Sequence, residues 1–198
     1  EELLELAAAS GCIGLFIGFE SLVDKNLQAM RKNVNKISFF KKAIKKIHSY
    51  GIAIEGAFIF GLDEDTNSVF KRTVNFAKRM RLEAAQFGIL TPFPGTGLYK
   101  QLSEQKRIFD FKWSHYDIAR VVFKPKKMTP QELQDGFNWA WKDFYSLPSI
   151  IRRLSFNKIK GNFPWVLNLA FRRSVKHSKV GQKVKIILSH ENLNPSME

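Results

Sequence analysis

Cysteine is nearly missing: one residue, Cys12, in 198. No internal disulfide can form, and so little cysteine suits a reducing, cytoplasmic compartment. There are four histidines, and none stands at a zinc-ligand spacing. Ser-His-Asp and P-loop spacings are missing too. No apolar run approaches the ~20 residues that span a bilayer. A signal-peptide pattern is lacking, as are repeats and low-complexity segments. Acidic residues almost vanish from the end: residues 147–198 hold ten Lys and Arg against two Glu, a net +8.

What is present is 44% apolar and 13% aromatic, enough to bury a core and to argue against disorder. The net charge is +14, more than half of it in that basic tail. Such a tail suits nucleic acid, anionic lipid or an acidic partner. A solvated surface with no specific partner accounts for it equally well.

The chain is organised around residues 52–65, Ile-Ala-Ile-Glu-Gly-Ala-Phe-Ile-Phe-Gly-Leu-Asp-Glu-Asp. Apolar side chains fall on both faces, the pattern of a parallel strand covered on both sides. Gly51 ends the preceding helix and Thr66 can start the next. Further strands are expected at 12–20 and 84–90, with helices at 22–30, 37–50 and 69–80 and a loop marked by Asn33 and Asn35. This βα spacing predicts an α/β fold with a parallel sheet. Three strands cannot close a barrel. Residues 1–10 read as the end of a helix in a longer polypeptide.

Two prolines make 91–97 a fixed loop. Beyond it come a short helix at 98–105 and an irregular aromatic segment with one more strand at 118–123. Thr129, Pro130 and Glu132 then open a capped helix. Two short basic amphipathic helices follow at 150–156 and 163–174, and 189–198 reads as frayed. The expected divisions are 1–100, 101–147 and 148–198.

In parallel α/β folds, ligands sit at the C-terminal ends of the strands. Glu20 ends a strand there. It could accept hydrogen bonds from a ribose diol, or bond helix-start N–H groups. Gly61 could let backbone approach a planar ligand, or simply make a tight turn. Asp63, Glu64 and Asp65 precede a helix and suit its dipole. Cys12 reads as inert packing and His48 as exposed. His115, among aromatics, is the histidine worth testing.

Three motifs stand in order: Ile-Gly-Phe-Glu-Ser at 17–21, Phe-Ile-Phe-Gly-Leu-Asp at 58–63, and Leu-Thr-Pro-Phe-Pro-Gly-Thr at 90–96. Together they resemble the second half of the radical S-adenosylmethionine (SAM) barrel, in the branch with an N-terminal cobalamin-binding domain. Residues 121–130 and the aromatic helix after them resemble a C-terminal extension found in one subgroup. The resemblance implies a partial (βα) parallel barrel followed by a mostly helical extension. It implies SAM contacts from Glu20 and Ser21, from Ile59, Gly61 and Glu64, and from Thr91, Pro92 and Phe93. Ala57 stands where the family has glycine, with Gly56 one place early. Trp113, His115 and Tyr116 would face the substrate, a small molecule or a lipid.

The implied activity is reductive cleavage of SAM at a [4Fe–4S] cluster to give a 5′-deoxyadenosyl radical. That cluster needs three protein thiolates. This chain has one cysteine, so it reads as an inactive fragment of such an enzyme or a decayed copy, with any cobalamin site upstream. A second expectation is a non-enzymatic basic module binding RNA or an anionic membrane, with peripheral membrane contact through 150–174.

Overall fold

The computed structural model describes residues 2–30, 37–155 and 162–177. Its elements are α1 (Glu2–Ala9), β1 (Gly14–Glu20), α2 (Asp24–Ala29), α3 (Ile37–Ser49), β2 (Ala53–Phe60), α4 (Ser68–Arg79), β3 (Ala84–Ile89), α5 (Gly97–Glu104), α6 (Pro130–Phe144), α7 (Leu147–Leu154) and α8 (Phe163–His177). The fold is α/β, with one parallel sheet in the order β1-β2-β3. It is consistent with part of a parallel barrel carrying a helical extension.

One face of the sheet carries the core. Phe19, Phe58, Phe87 and Phe60 form a row of stacked rings, with centroids 5.5–5.9 Å apart. Rings from the covering helices meet the row edge-on: Phe40 from α3, Phe70 and Phe76 from α4, Trp141 and Phe144 from α6. Offset and edge-on contacts match the aromatic quadrupole. Side chains alternate along a strand, so Glu55, Ala57 and Ile59 of β2 face the other way and are only half-buried. Gln86 of β3 donates to Glu55 across that second face at 2.9 Å. The expectation of a strand covered on both faces therefore holds for one face among the described residues.

The two sheet edges differ. Among the described residues β1 pairs only with β2. The outer edge of β3 is closed mostly by side chains of the extension. Tyr145 donates its hydroxyl to the Ala85 carbonyl at 2.8 Å and accepts from the Ala85 N–H at 3.2 Å. Trp141 donates to the Phe87 carbonyl, and the Ile89 N–H donates to the Ile118 carbonyl. The Arg153 guanidinium donates to the carbonyls of Leu82 and Glu83, and Asn168 donates to Glu83 as well. Arg153 is fully buried and stacks 3.8 Å from the centre of the Phe144 ring. Burial lowers its pKa to about 10. A buried strand edge must pair its backbone groups, and here side chains from three helices do so.

Several local expectations are corrected. Ser21 does not cap a helix: α2 begins after Val23, which makes no side-chain cap. Asn67, not Thr66, precedes α4, also without a side-chain cap. Residues 118–123 form no strand; they make a single hydrogen bond to the end of β3, from the Ile89 N–H to the Ile118 carbonyl, and the isolated bridge between Ile108 and Phe123. His48 is not exposed; it lies 3.2 Å from the buried Glu83 carboxylate. The capping box of α6 stands as expected, with Thr129 accepting from the Glu132 N–H. The Asn33–Asn35 loop and residues 189–198 lie outside the described residues. No described helix is long and apolar enough to cross a membrane.

Candidate functional site

Because the three strands run parallel, their C-terminal ends share one rim. Glu20 ends β1 in register with Phe58. Gly61 follows β2, and Thr91 lies just past β3, where the Leu90 N–H still donates to the Phe60 carbonyl at 2.8 Å. Beneath this rim lies the half-open sheet face, floored by Gly18, Ala57, Ile59 and Gly88.

Glu20 sits at an irregularity: Gly18 pairs with Ala57 and Glu20 with Phe58, leaving Phe19 as an extra residue. Glu20 takes φ +63°, a left-handed conformation uncommon outside glycine. The bulge aims its carboxylate back over Gly18, where an added Cβ would stand 2.6 Å from Oε1. A side chain at 18 would therefore have to displace this carboxylate.

A buried hydrogen-bond chain ties the β1 rim to the β2 rim. Ser21 Oγ accepts from the Val23 N–H at 3.1 Å and from Asn26 Nδ2 at 3.3 Å. Asn26 Nδ2 also donates to Asp65 Oδ1 at 2.8 Å, and its Oδ1 accepts from the Glu64 N–H. Asp65 Oδ2 accepts from the N–H groups of Gly61 and Leu62 at 3.0 and 3.1 Å. Burial pushes the Asp65 carboxyl up to about 6, against the pull of those donors. Sequence reasoning placed Asp65 on the helix dipole and passed over Asn26. The available signal was a polar residue inside an otherwise apolar helix stripe.

Gly61 has φ +93°, and a Cβ there would meet Leu133 of α6 at 2.8 Å and Phe123 at 3.3 Å. The turn and the close approach of the extension both require glycine. Glu64 pairs with Lys127 at 2.6 Å, which holds its pKa below the usual range. Asp63 bridges Arg107 and Lys126; burial raises its pKa, but these cations outweigh it and hold the carboxyl low. These two acids therefore engage the chain's own extension. Thr91 is buried and donates to the Ile89 carbonyl, closing its own turn. Pro92 is buried beside it and Phe93 is exposed.

The turn holding Trp113, His115 and Tyr116 leads into Ile118, whose carbonyl accepts from the Ile89 N–H at the end of β3. Tyr116 is buried, with its hydroxyl donated to the Asp110 carbonyl; burial, Tyr99 and Asp110 push its pKa to about 12. A cavity of 250 Å³ lies elsewhere, between β1 and α3, lined by Ile17, Phe39, Phe40, Ala43 and Ile44 among others. It has no ionisable lining, and Gly18 and Phe19, next to Glu20, also line it.

No family model matches the chain. It is 35% identical to bacteriochlorophyllide d C-12(1)-methyltransferase of Chlorobaculum tepidum over 87% of its own length and 37% of the relative. It is 28% identical to the anaerobic magnesium-protoporphyrin IX monomethyl ester cyclase of Cereibacter sphaeroides, over 87% of the chain and 26% of the relative. Identity to the hopanoid C-2 methylase of Rhodopseudomonas palustris is also 28%, over 88% and 36%. The chain is homologous to radical SAM enzymes of the cobalamin-binding branch. It spans about a third of the length of these relatives.

The homologues imply SAM and a [4Fe–4S] cluster. This radical SAM homologue fits the first group and not the second. Glu20 offers hydroxyl acceptors, and the small side chains at 18, 57 and 88 leave a shallow floor beside Ile59. Cys12, whose Sγ lies 3.5 Å from the Gly14 carbonyl at the opposite end of β1, cannot supply a three-thiolate set.

Proposed function

We propose that this chain forms the adenosyl-binding wall and part of the substrate rim of a radical SAM methyltransferase or cyclase whose substrate is a magnesium tetrapyrrole. The observation that carries this is the convergence of Glu20, Gly61 and Thr91 above a floor of Gly18, Ala57 and Gly88. SAM, when bound, supplies the radical chemistry. The chain's residues bind and orient. Glu20 accepts both hydroxyls of the ribose diol. Ile59 gives adenine an apolar contact. The fixed turn of Thr91 and Pro92 walls the pocket and helps keep water out. The Asn26–Asp65 link holds the first two strand ends at constant spacing, which is what orientation of a ligand requires. No step is assigned to a cluster or to cobalamin. The substrate class rests on the relatives whose names carry bacteriochlorophyllide or magnesium-protoporphyrin. A flat apolar macrocycle also suits the exposed rings of Phe93, Phe111 and Trp113.

The test is an amide NMR titration of the ¹⁵N-labelled protein with SAM. The reading expects shifts at Glu20, Ser21, Ile59 and Gly61. Shifts confined to α7 and α8, or none, would contradict it.

A second feature concerns location. On α8, Phe163, Val166 and Leu169 recur at helical spacing and are exposed, as are Leu147 and Ile151 of α7. Arg152 and Arg173 are exposed on the same two helices. Apolar side chains beside cations form an interfacial helix pair. We read this surface as a peripheral contact with an anionic membrane, where an apolar substrate would partition.

A further inference from the structure

Asp110 and His115 form a dyad that the SAM-binding rim does not use. Asp110 is buried, and both its carboxylate oxygens are engaged. Oδ1 accepts from the Lys112 N–H at 2.9 Å, and Oδ2 lies 2.6 Å from His115 Nδ1. The backbone around the pair is locked. The His115 N–H donates to the Lys112 carbonyl, the Tyr116 N–H to Trp113, and the Tyr116 hydroxyl to Asp110. These bonds hold the imidazole beside the carboxylate. An ionised carboxylate only accepts, so beside one a neutral imidazole places its proton on Nδ1 and its lone pair on Nε2. The His115 side chain is 13% exposed.

A histidine whose far nitrogen is held by a carboxylate is the usual arrangement of a metal-binding imidazole. Yet no three His, Cys, Asp or Glu side chains converge on a metal among the described residues. One imidazole cannot cage a free ion. It does complete the coordination of a metal whose other positions are already filled, as in a tetrapyrrole, where four ring nitrogens leave an axial site open. The place fits. Ile118, three residues on, lies 3.9 Å from where a Cβ on Gly88 would stand, so this loop borders the half-open sheet face. Phe111 and Trp113, exposed beside the dyad, offer rings to a macrocycle.

We infer that His115, oriented by Asp110, is the axial ligand to the central metal of a metallotetrapyrrole substrate. This rests on the substrate class proposed above. The experiment is an absorption titration of the purified full chain with zinc protoporphyrin IX, whose closed-shell metal takes one axial nitrogen, and with metal-free protoporphyrin IX. Wild type is expected to bind both and to red-shift the Soret band of the zinc form. H115A should bind the metal-free ring as wild type does, lose the Soret shift, and bind the zinc form at least about tenfold more weakly. H115G with added imidazole should recover the shift. D110N should keep part of the shift and weaken zinc-form binding by about tenfold. An unchanged Soret shift in H115A, with both rings still bound, would overturn the axial-ligand assignment and leave the tetrapyrrole reading standing. Binding of neither ring by wild type would overturn the tetrapyrrole reading itself, and the ligand assignment with it.

Discussion

Replacing Asp65 with asparagine should change how stability depends on pH. Two effects compete at this carboxyl: burial disfavours its charge, while the N–H groups of Gly61, Leu62 and Asn26 favour it. Burial prevails, and the folded-state pKa rises from 3.8 to about 6. Between those values the folded protein holds a proton that the unfolded chain releases. Stability from this group is therefore full below pH 4, falls as pH rises to 6, and is flat above. A shift of about two units is worth about 3 kcal/mol. The amide introduced by D65N has no charge to bury. Its oxygen still accepts from Gly61 and Leu62, and its NH₂ meets the Asn26 amide at the cost of one hydrogen bond, about 1 kcal/mol. Urea denaturation of both proteins at pH 4, 5, 6 and 7 isolates the group, since every other titration cancels in the difference. Wild type should lose about 3 kcal/mol relative to D65N between pH 4 and 7. A constant difference would show that the three donors balance desolvation, and wild type gaining on the variant as pH rises would show that they outweigh it.

Tyr145→Phe removes both edge contacts of Ala85 and leaves a buried N–H and C=O unpaired, so urea denaturation should show a loss of about 2–4 kcal/mol with SAM binding unchanged. Gly61→Ala forces a side chain into φ +93° and against Leu133; a thermal melt should report destabilisation of at least about 2 kcal/mol. Leu169→Glu should abolish sedimentation with vesicles containing phosphatidylserine, and raising salt should weaken the wild-type interaction. Equal sedimentation of variant and wild type would remove the membrane contact, and retention of the basic surface on RNA alone would assign it to nucleic acid instead.

The strands and most helices were legible because period and punctuation agree. Ile54, Phe58 and Phe60 mark a buried strand, Gly51 and Gly61 bound it, and Thr129-Pro-Gln-Glu132 announces α6. The motifs at 17–21, 58–63 and 90–96 carried the family, which the homologues bear out. The rest was hidden because it depends on contacts distant in the chain. Nothing local to Tyr145 says that its hydroxyl closes a strand sixty residues earlier. Asp65 looked like a helix-start acid because its partner Asn26 lies 39 residues away. Glu64 matched a family position, yet its carboxylate meets Lys127, a pairing visible only once the extension folds over the rim. The expected strand at 118–123 also depends on distant partners: it bridges only Ile108, ten or more residues earlier, and bonds the end of β3 at Ile89.

The proposal that one rim of this sheet holds an adenosyl group is tested most directly by calorimetric titration of wild type and Glu20→Gln with SAM. Losing one charged acceptor toward the ribose diol should weaken binding by about tenfold or more, with the fold intact by circular dichroism. Equal affinity in the two proteins would mean that the Glu20 carboxylate does not touch the ligand, and the rim would have to be given up as its site.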